Sequence, residues 1–197
     1  FYVNKFVLDP RPETEGVVEE SMQLIKDKKS NLKILDIGTG SGALAISLAR
    51  EFVNANILAI DISDKAIKVA KKNINDKKLN HQIKLKKLSV DLINTKFDLI
   101  VSNPPYLTKN ELEKTSKEIR YYEPFIALYG GEDGLNFYRE FSKKLYEIMK
   151  KNAYLILEIG DHQFQDCKEI FAISKLNFHK KTQDLQKKDR IIVYSKL

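Results

Sequence analysis

The sequence predicts a doubly wound α/β domain around a mostly parallel sheet, and three observations predict it. Short apolar runs alternate with segments of helical period along nearly the whole chain. A glycine-rich turn, Asp36-Ile37-Gly38-Thr39-Gly40-Ser41-Gly42, leaves the first of these runs and opens a helix. No repeat, linker or low-complexity segment interrupts the alternation, so one domain over 1–197 is expected, with 1–30 as its opening segment and helix.

Asp9-Pro10-Arg11-Pro12-Glu13-Thr14-Glu15 leads into a helix whose apolar positions are Val17, Val18, Met22 and Ile25. Lys33 to Ile37 reads as a buried strand, Ala43 to Phe52 as a helix, Asn56 to Ile60 as a strand and Lys65 to Ile74 as a helix. Ile83 to Leu88 and Phe97 to Ser102 are two further strands. Glu111 to Tyr122 reads as a polar loop, and Leu135 to Met149 as a helix. Tyr154 to Ile159 is the fifth strand, Phe164 to Ile173 a helix, and Phe178 to Thr182 pairs with Arg190 to Ser195 as the last two strands.

Composition narrows the class. At 197 residues with 43% apolar content the chain can bury a real core, and no apolar run is long enough to cross a bilayer. A cytoplasmic protein is expected, the more so because the single Cys167 can form no internal disulfide. The chain opens on Phe1, not Met, so upstream sequence is expected. A net charge of +7 would suit a nucleic-acid partner, but the lysines are scattered in small groups such as Lys28-Lys29 and Lys71-Lys72. A generally Lys-rich surface explains them better than a dedicated groove, so direct nucleic-acid binding is not expected.

The glycine turn carries the first chemistry. Glycines allow a tight turn and close backbone approach, while the following helix N-terminus offers unpaired N–H groups. About twenty residues on, Asp61 ends the second strand, placed to accept hydrogen bonds from ribose hydroxyls. This describes a nucleotide or nucleoside pocket. Gly38, Gly40 and Ala43 also satisfy the dinucleotide fingerprint, so the turn alone does not separate a nicotinamide cofactor from S-adenosylmethionine.

The fourth strand runs straight into Asn103-Pro104-Pro105-Tyr106. Proline lacks the N–H that a ladder needs, so the strand stops there. What remains at its end is an amide side chain, a carbonyl and an aromatic ring, which together can grip a planar amide or amino group. An isolated Pro-Pro would be read as an ordinary turn. Beside the glycine turn and Asp61, the motif resembles that of the amino methyltransferases that use S-adenosylmethionine. That resemblance implies that the Asn103 oxygen and the Pro104 carbonyl accept the two N–H bonds of the acceptor nitrogen, with Tyr106 as a wall. Asn103, Pro104 and Tyr106 are then the catalytic group, and Asn103 to Tyr106, Pro105 included, the substrate grip. No metal is implied.

Further segments narrow the resemblance: Pro10-Arg11-Pro12-Glu13-Thr14-Glu15, Tyr122-Glu123-Pro124, and Ala127-Leu128-Tyr129-Gly130-Gly131-Glu132-Asp133-Gly134-Leu135. In this order, around the two motifs above, they make the whole chain similar to the protein-(glutamine-N5) methyltransferases specific for peptide chain release factors. The resemblance implies the class I S-adenosylmethionine-dependent methyltransferase fold, a seven-stranded sheet with an antiparallel final strand. It also implies methylation of the glutamine in the Gly-Gly-Gln motif of release factors, and action as a monomer. The cofactor contacts carry over to Gly38, Thr39, Gly40, Ser41, Gly42, Asp61 and Asn103. In the short segment Leu88 to Lys96, Asp91 is expected beside the adenine with Leu92 on the ring. The family's N-terminal helical domain, which helps hold the release factor, is expected to be absent.

Two other classes fit the motifs. A nucleic-acid amino methyltransferase would use the same four residues on a flipped base, but nothing reads as a target-recognition domain. A non-catalytic S-adenosylmethionine-binding module would have no use for an intact acceptor motif. A nicotinamide oxidoreductase ranks last, lacking a candidate hydride-transfer acid. His81, His162 and His179 are isolated from one another, and Glu158 reads as a polar anchor within the fifth strand.

Overall fold

The computed structural model describes residues 1–197, apart from the side chain of Glu13. Helix α1 (Pro12–Leu24) precedes strand β1 (Lys33–Ile37), helix α2 (Ala43–Glu51), β2 (Asn56–Asp61), α3 (Asp64–Asp76), β3 (Ile83–Lys87) and β4 (Phe97–Ser102). Then follow α4 (Lys109–Lys114), α5 (Lys117–Tyr122), α6 (Asn136–Ile148), β5 (Met149–Glu158), α7 (Phe164–Ala172), β6 (Asn177–Gln183) and β7 (Asp189–Lys196). The seven strands form one sheet in the order β3-β2-β1-β4-β5-β7-β6. The pairs from β3 through to β5 are all parallel, whereas β7 runs antiparallel to both β5 and β6. This is the seven-stranded, mostly parallel sheet with an antiparallel final strand that the resemblance implied.

Alternation along each strand divides the core into two layers. Ile100, Leu155 and Leu157 face Tyr138, Phe141 and Leu145 of α6 and Phe171 of α7. Leu99, Val101 and Ile156 face Val17 of α1 and Leu44 and Leu48 of α2. Parallel strands need cover on both faces, and these helices supply it. Cys167 lies in the first layer, where burial pushes its thiol up to about 12 and leaves it inert.

Two differences from the sequence reading have local causes. The segment read as a polar loop folds into α4 and α5. Thr108 and Glu111 form a reciprocal capping box on α4, and the Ser116 hydroxyl caps α5. Leu112 is the one buried side chain across both helices, so no apolar period announced them. Strand β5 starts at Met149, directly after α6, and its pairing with β4 shifts register between Phe97 and Leu99. The polar stretch Lys150-Lys151-Asn152 masks that start.

Candidate active site

The chain winds outward from β1 to β2 and β3, then returns to place β4 on the other side of β1. The crevice beyond the carboxyl ends of β1 and β4 is therefore the switch point where such sheets bind ligands. Ser102 joins the two strand ends, its hydroxyl donating to the Ile37 carbonyl at 2.8 Å.

On the β1 side, the glycine turn rests on β2. Thr39 N–H donates to the Ile60 carbonyl, and Gly40 N–H to Asp61 Oδ2 at 3.0 Å. Asp61 Oδ1 accepts from Ser63 N–H at 2.9 Å, so backbone donors fix both carboxylate oxygens while each keeps a lone pair for a ligand. Burial raises the Asp61 pKa, and those N–H groups oppose the shift. Gly40 has φ +55°, and a Cβ there would meet only the Gly38 carbonyl oxygen at 3.9 Å. Glycine is thus required by the backbone, and the space above it is left for a ligand. Gly42, in the left-handed region, ends the turn and begins α2 with no side chain of its own to cap the helix.

Asp36 sits behind the turn, fully buried. Its Oδ2 accepts from the Thr39 hydroxyl at 2.6 Å. Desolvation raises its pKa to about 7 against the Thr39 and Ala45 hydrogen bonds. From α3, Asn73 ties this side to the start of the chain, donating to the carbonyls of Ser41 and Tyr2 and accepting from Tyr2 N–H.

On the β4 side, side chains from distant parts of the chain converge. Asn103 Nδ2 donates to Thr14 Oγ1 at 3.0 Å, and the Thr14 hydroxyl donates to Glu158 Oε2 at 2.9 Å. The Tyr106 hydroxyl donates to Glu158 Oε1 at 3.1 Å. Glu158 ends β5, where the pairing of Ser102 with Leu157 sets it beside Asn103, and it is 1% exposed. Behind the proline turn, Gln163 Nε2 donates to the carbonyls of Tyr106 and Gly134. Gly134 has φ +76°, and a Cβ there would lie 2.3 Å from the Tyr106 carbonyl oxygen. The glycine segment Gly130 to Gly134 is therefore a brace for the proline turn.

Two cavities meet at this turn. Gly38, Thr39, Gly40, Ser41, Asp61, Asn103, Pro104 and Pro105 line the first, and Tyr106 and Glu158 line the second. Asn103, Pro104, Pro105 and Arg11 border both. Gly42 supports the first from below, its own Cβ position in contact with Ala70 of α3. Asp91 and Leu92 are both exposed, Leu92 at 65%, whereas Ser89 and Val90 line the cavity. A one-turn 3-10 helix over Val90–Leu92 buries Val90 and rotates the next two side chains to the surface. Asp91 lies near enough to Glu140, at the cavity rim, to add to the burial that raises the Glu140 pKa.

The sequence reading missed three parts of the wall. Phe6 to Arg11 cross the first cavity, Ile62 follows Asp61 at 51% exposure, and α6 contributes Phe137 and Glu140. An apolar residue placed right after Asp61 was the readable signal for Ile62. Phe6-Val7-Leu8 carried a similar signal as an apolar run before Pro10. Arg11 is anchored by an ion pair with Glu123 at 2.5 Å, whose pKa is raised by burial against that partner.

Comparison with known proteins agrees with this geometry. A family model described as methyltransferase small domain matches residues 20–119. A release factor glutamine methyltransferase of Flavobacterium psychrophilum is 41% identical over 201 residues, covering 98% of this chain and 69% of that protein. One from Fusobacterium nucleatum is 39% identical over 201 residues, and the chain spans 56% of its length. The crystal structure of a release factor-specific protein-(glutamine-N5) methyltransferase from Alicyclobacillus acidocaldarius superposes with a TM-score of 0.58 at 26% identity. It covers 95% of this chain and 93% of that one.

Proposed function

Because the chain belongs to the release factor glutamine methyltransferase family, we propose that it methylates the side-chain nitrogen of the glutamine in the Gly-Gly-Gln motif of peptide chain release factors, using S-adenosylmethionine. The observation that carries this reading is the meeting of two cavities at Asn103-Pro104-Pro105, one floored by the glycine turn and one walled by Tyr106.

The open space above Gly40, the glycine N-cap of α2 and the paired Asp61 carboxylate fit a nucleoside with a short charged chain. S-adenosylmethionine, when bound, supplies a methyl group made electrophilic by its sulfonium. The turn from Gly38 to Gly42 holds the cofactor, and Asp61 accepts from its ribose hydroxyls. Asn103 Oδ1 and the Pro104 carbonyl accept the two N–H bonds of the glutamine amide. An amide nitrogen is a weak nucleophile because its lone pair is delocalised, and two acceptors at its hydrogens return electron density to it. Tyr106 limits the room beside the amide, which orients it.

The scattered lysines favour a protein over a nucleic acid as the acceptor, and one chain acting alone is sufficient for the roles assigned. No helix among the described residues is long and apolar enough to cross a membrane. The cytoplasm is the compartment this substrate requires, and no metal enters the proposed chemistry.

The test offers methyl-labelled S-adenosylmethionine with release factor, with release factor carrying Ala for the motif glutamine, with tRNA and with DNA. Label in the intact release factor alone is expected. Label in tRNA or DNA would replace this reading with the nucleic-acid one, and cofactor binding without transfer would leave a binding module.

A further inference from the structure

We infer that Thr14 and Glu158 are positioning residues, a hydrogen-bond relay that dictates which end of the Asn103 amide faces the acceptor. The inference rests on the proposed role of Asn103 Oδ1 and deepens it. The logic begins at Glu158. Its Oε2 accepts from the Thr14 hydroxyl at 2.9 Å, and that bond spends the hydroxyl's one proton. Thr14 Oγ1 then has only lone pairs left for Asn103, 3.0 Å away, and Asn103 must answer with Nδ2. That choice turns Oδ1 away from Thr14 and leaves it as an acceptor. Were the amide reversed, Nδ2 would face the N–H groups of the glutamine, donor against donor, and the grip would fail.

Several features point to a relay and not to a chance contact. Glu158 is at the surface of neither face of the sheet, ending a strand whose preceding residues Leu155, Ile156 and Leu157 are wholly buried. A carboxylate here must be hydrogen-bonded to be tolerated, and both its oxygens are: Oε2 by Thr14 and Oε1 by the Tyr106 hydroxyl. The same carboxylate thereby fixes two members of the acceptor motif, the Asn103 amide and the Tyr106 ring. Tyr138 from α6 donates to the Glu158 carbonyl at 2.9 Å and steadies the backbone from which the side chain projects. The residues involved come from α1, the end of β4 and the end of β5, so none of them is held together by local secondary structure alone.

The relay has a directional signature that a merely structural role lacks. Glu158→Gln preserves shape and hydrogen-bonding capacity, but its amide can donate to Thr14. The Thr14 proton is then released toward Asn103, and the Asn103 amide turns over. Thr14→Val removes the hydroxyl at constant shape, whereas Thr14→Ser keeps it.

The test uses the full chain and two readouts. In the ¹⁵N spectrum of the cofactor-free protein, assigned by loss of the signal in Asn103→Ala, one Asn103 Nδ2 proton is expected to show slow solvent exchange in the parent and in Thr14→Ser. It is expected to lose that protection in Thr14→Val and in Glu158→Gln. In methyl transfer to release factor, kcat is expected to fall about 100-fold in Thr14→Val and Glu158→Gln. Thr14→Ser is expected to stay within a few-fold of the parent, and S-adenosylmethionine affinity to stay within about twofold throughout. An Asn103 signal unchanged in both Thr14→Val and Glu158→Gln overturns the relay, whatever the activity. If the parent shows the signal and the variants lose it, yet no protein methylates release factor, the relay stands and the proposed substrate falls.

Discussion

The two sides of the crevice are built by different means. The glycine-turn side is made of backbone drawn from a short stretch, Asp36 to Ser63, with N–H groups pointing at Asp61 and into open space. The proline-turn side is made of side chains from Thr14, Asn103, Tyr106, Glu158 and Gln163, joined across separations of 52 to 144 residues. A backbone site tolerates few residue types but needs little support. A side-chain site needs its neighbours to define it, and so depends on the whole fold.

The sharpest break in this comparison is Asn103→Ala. Transfer should drop by at least about 10²–10³-fold, the loss seen when one positioned hydrogen-bonding group is removed from a reacting centre. The thermal transition should move little, because Asn103 lies beyond the last ladder pair of β4. Turnover close to the parent's would remove Asn103 from the chemistry.

Placing the same substitution on each side comes next. In Gly134→Ala the new methyl meets the Tyr106 carbonyl at 2.3 Å with φ +76°, so the proline turn must shift. A loss of stability of roughly 1–3 kcal/mol is expected, with transfer impaired and cofactor affinity nearly kept. In Gly40→Ala nothing in the protein obstructs the methyl, and the strain of a left-handed residue is about 1–2 kcal/mol. Here calorimetry should find cofactor affinity lost, because the methyl occupies the ligand's space. Equal effects on affinity from both variants would abolish the distinction.

A smaller effect is expected from pH. The Asp36 pKa is raised from 3.8 to about 7 by burial, so between those values the folded protein holds a proton that the unfolded chain has released. Stability should therefore decline as pH rises from about 4 to about 7 and level off above. Denaturant melts of Asp36→Asn should show a shallower decline over that window. The slope should not vanish, because Asp61 and Glu123 are shifted in the same direction. A parent whose stability rises across the window would contradict this assignment.

The smallest effect belongs to the exposed residues after Val90. Leu92→Ser should change stability by no more than about 0.5 kcal/mol and leave cofactor affinity alone, as expected of an exposed side chain outside the cavity. Val90→Ser, buried at the cavity wall, should lower both. A reversal of this order would restore Leu92 to the site.

The same contrast explains what could be read from the sequence. The succession of strands and helices along the chain, the glycine turn, Asp61 and the proline turn were legible because each is announced by neighbours within a few residues: apolar period, glycines, a strand end. The exposure of Asp91 and Leu92 was not legible, because a single 3-10 turn decides which side chain is buried, and three residues carry too little pattern to show it. Thr14 and Glu158 were visible as residues but not as partners. Their meeting depends on register between β4 and β5 and on how α1 lies against the sheet, which no local signal encodes.

Glu158 also exposes a conflict of interests within the sheet. On a strand where Leu155, Ile156 and Leu157 are wholly buried, an aliphatic residue in its place would itself need no hydrogen-bond partners. Variants selected for heat resistance alone should therefore drift toward Leu or Met at 158, and those selected for turnover should restore the carboxylate. The position would report, by which residue occupies it, whether a lineage had been kept for catalysis or merely for its fold.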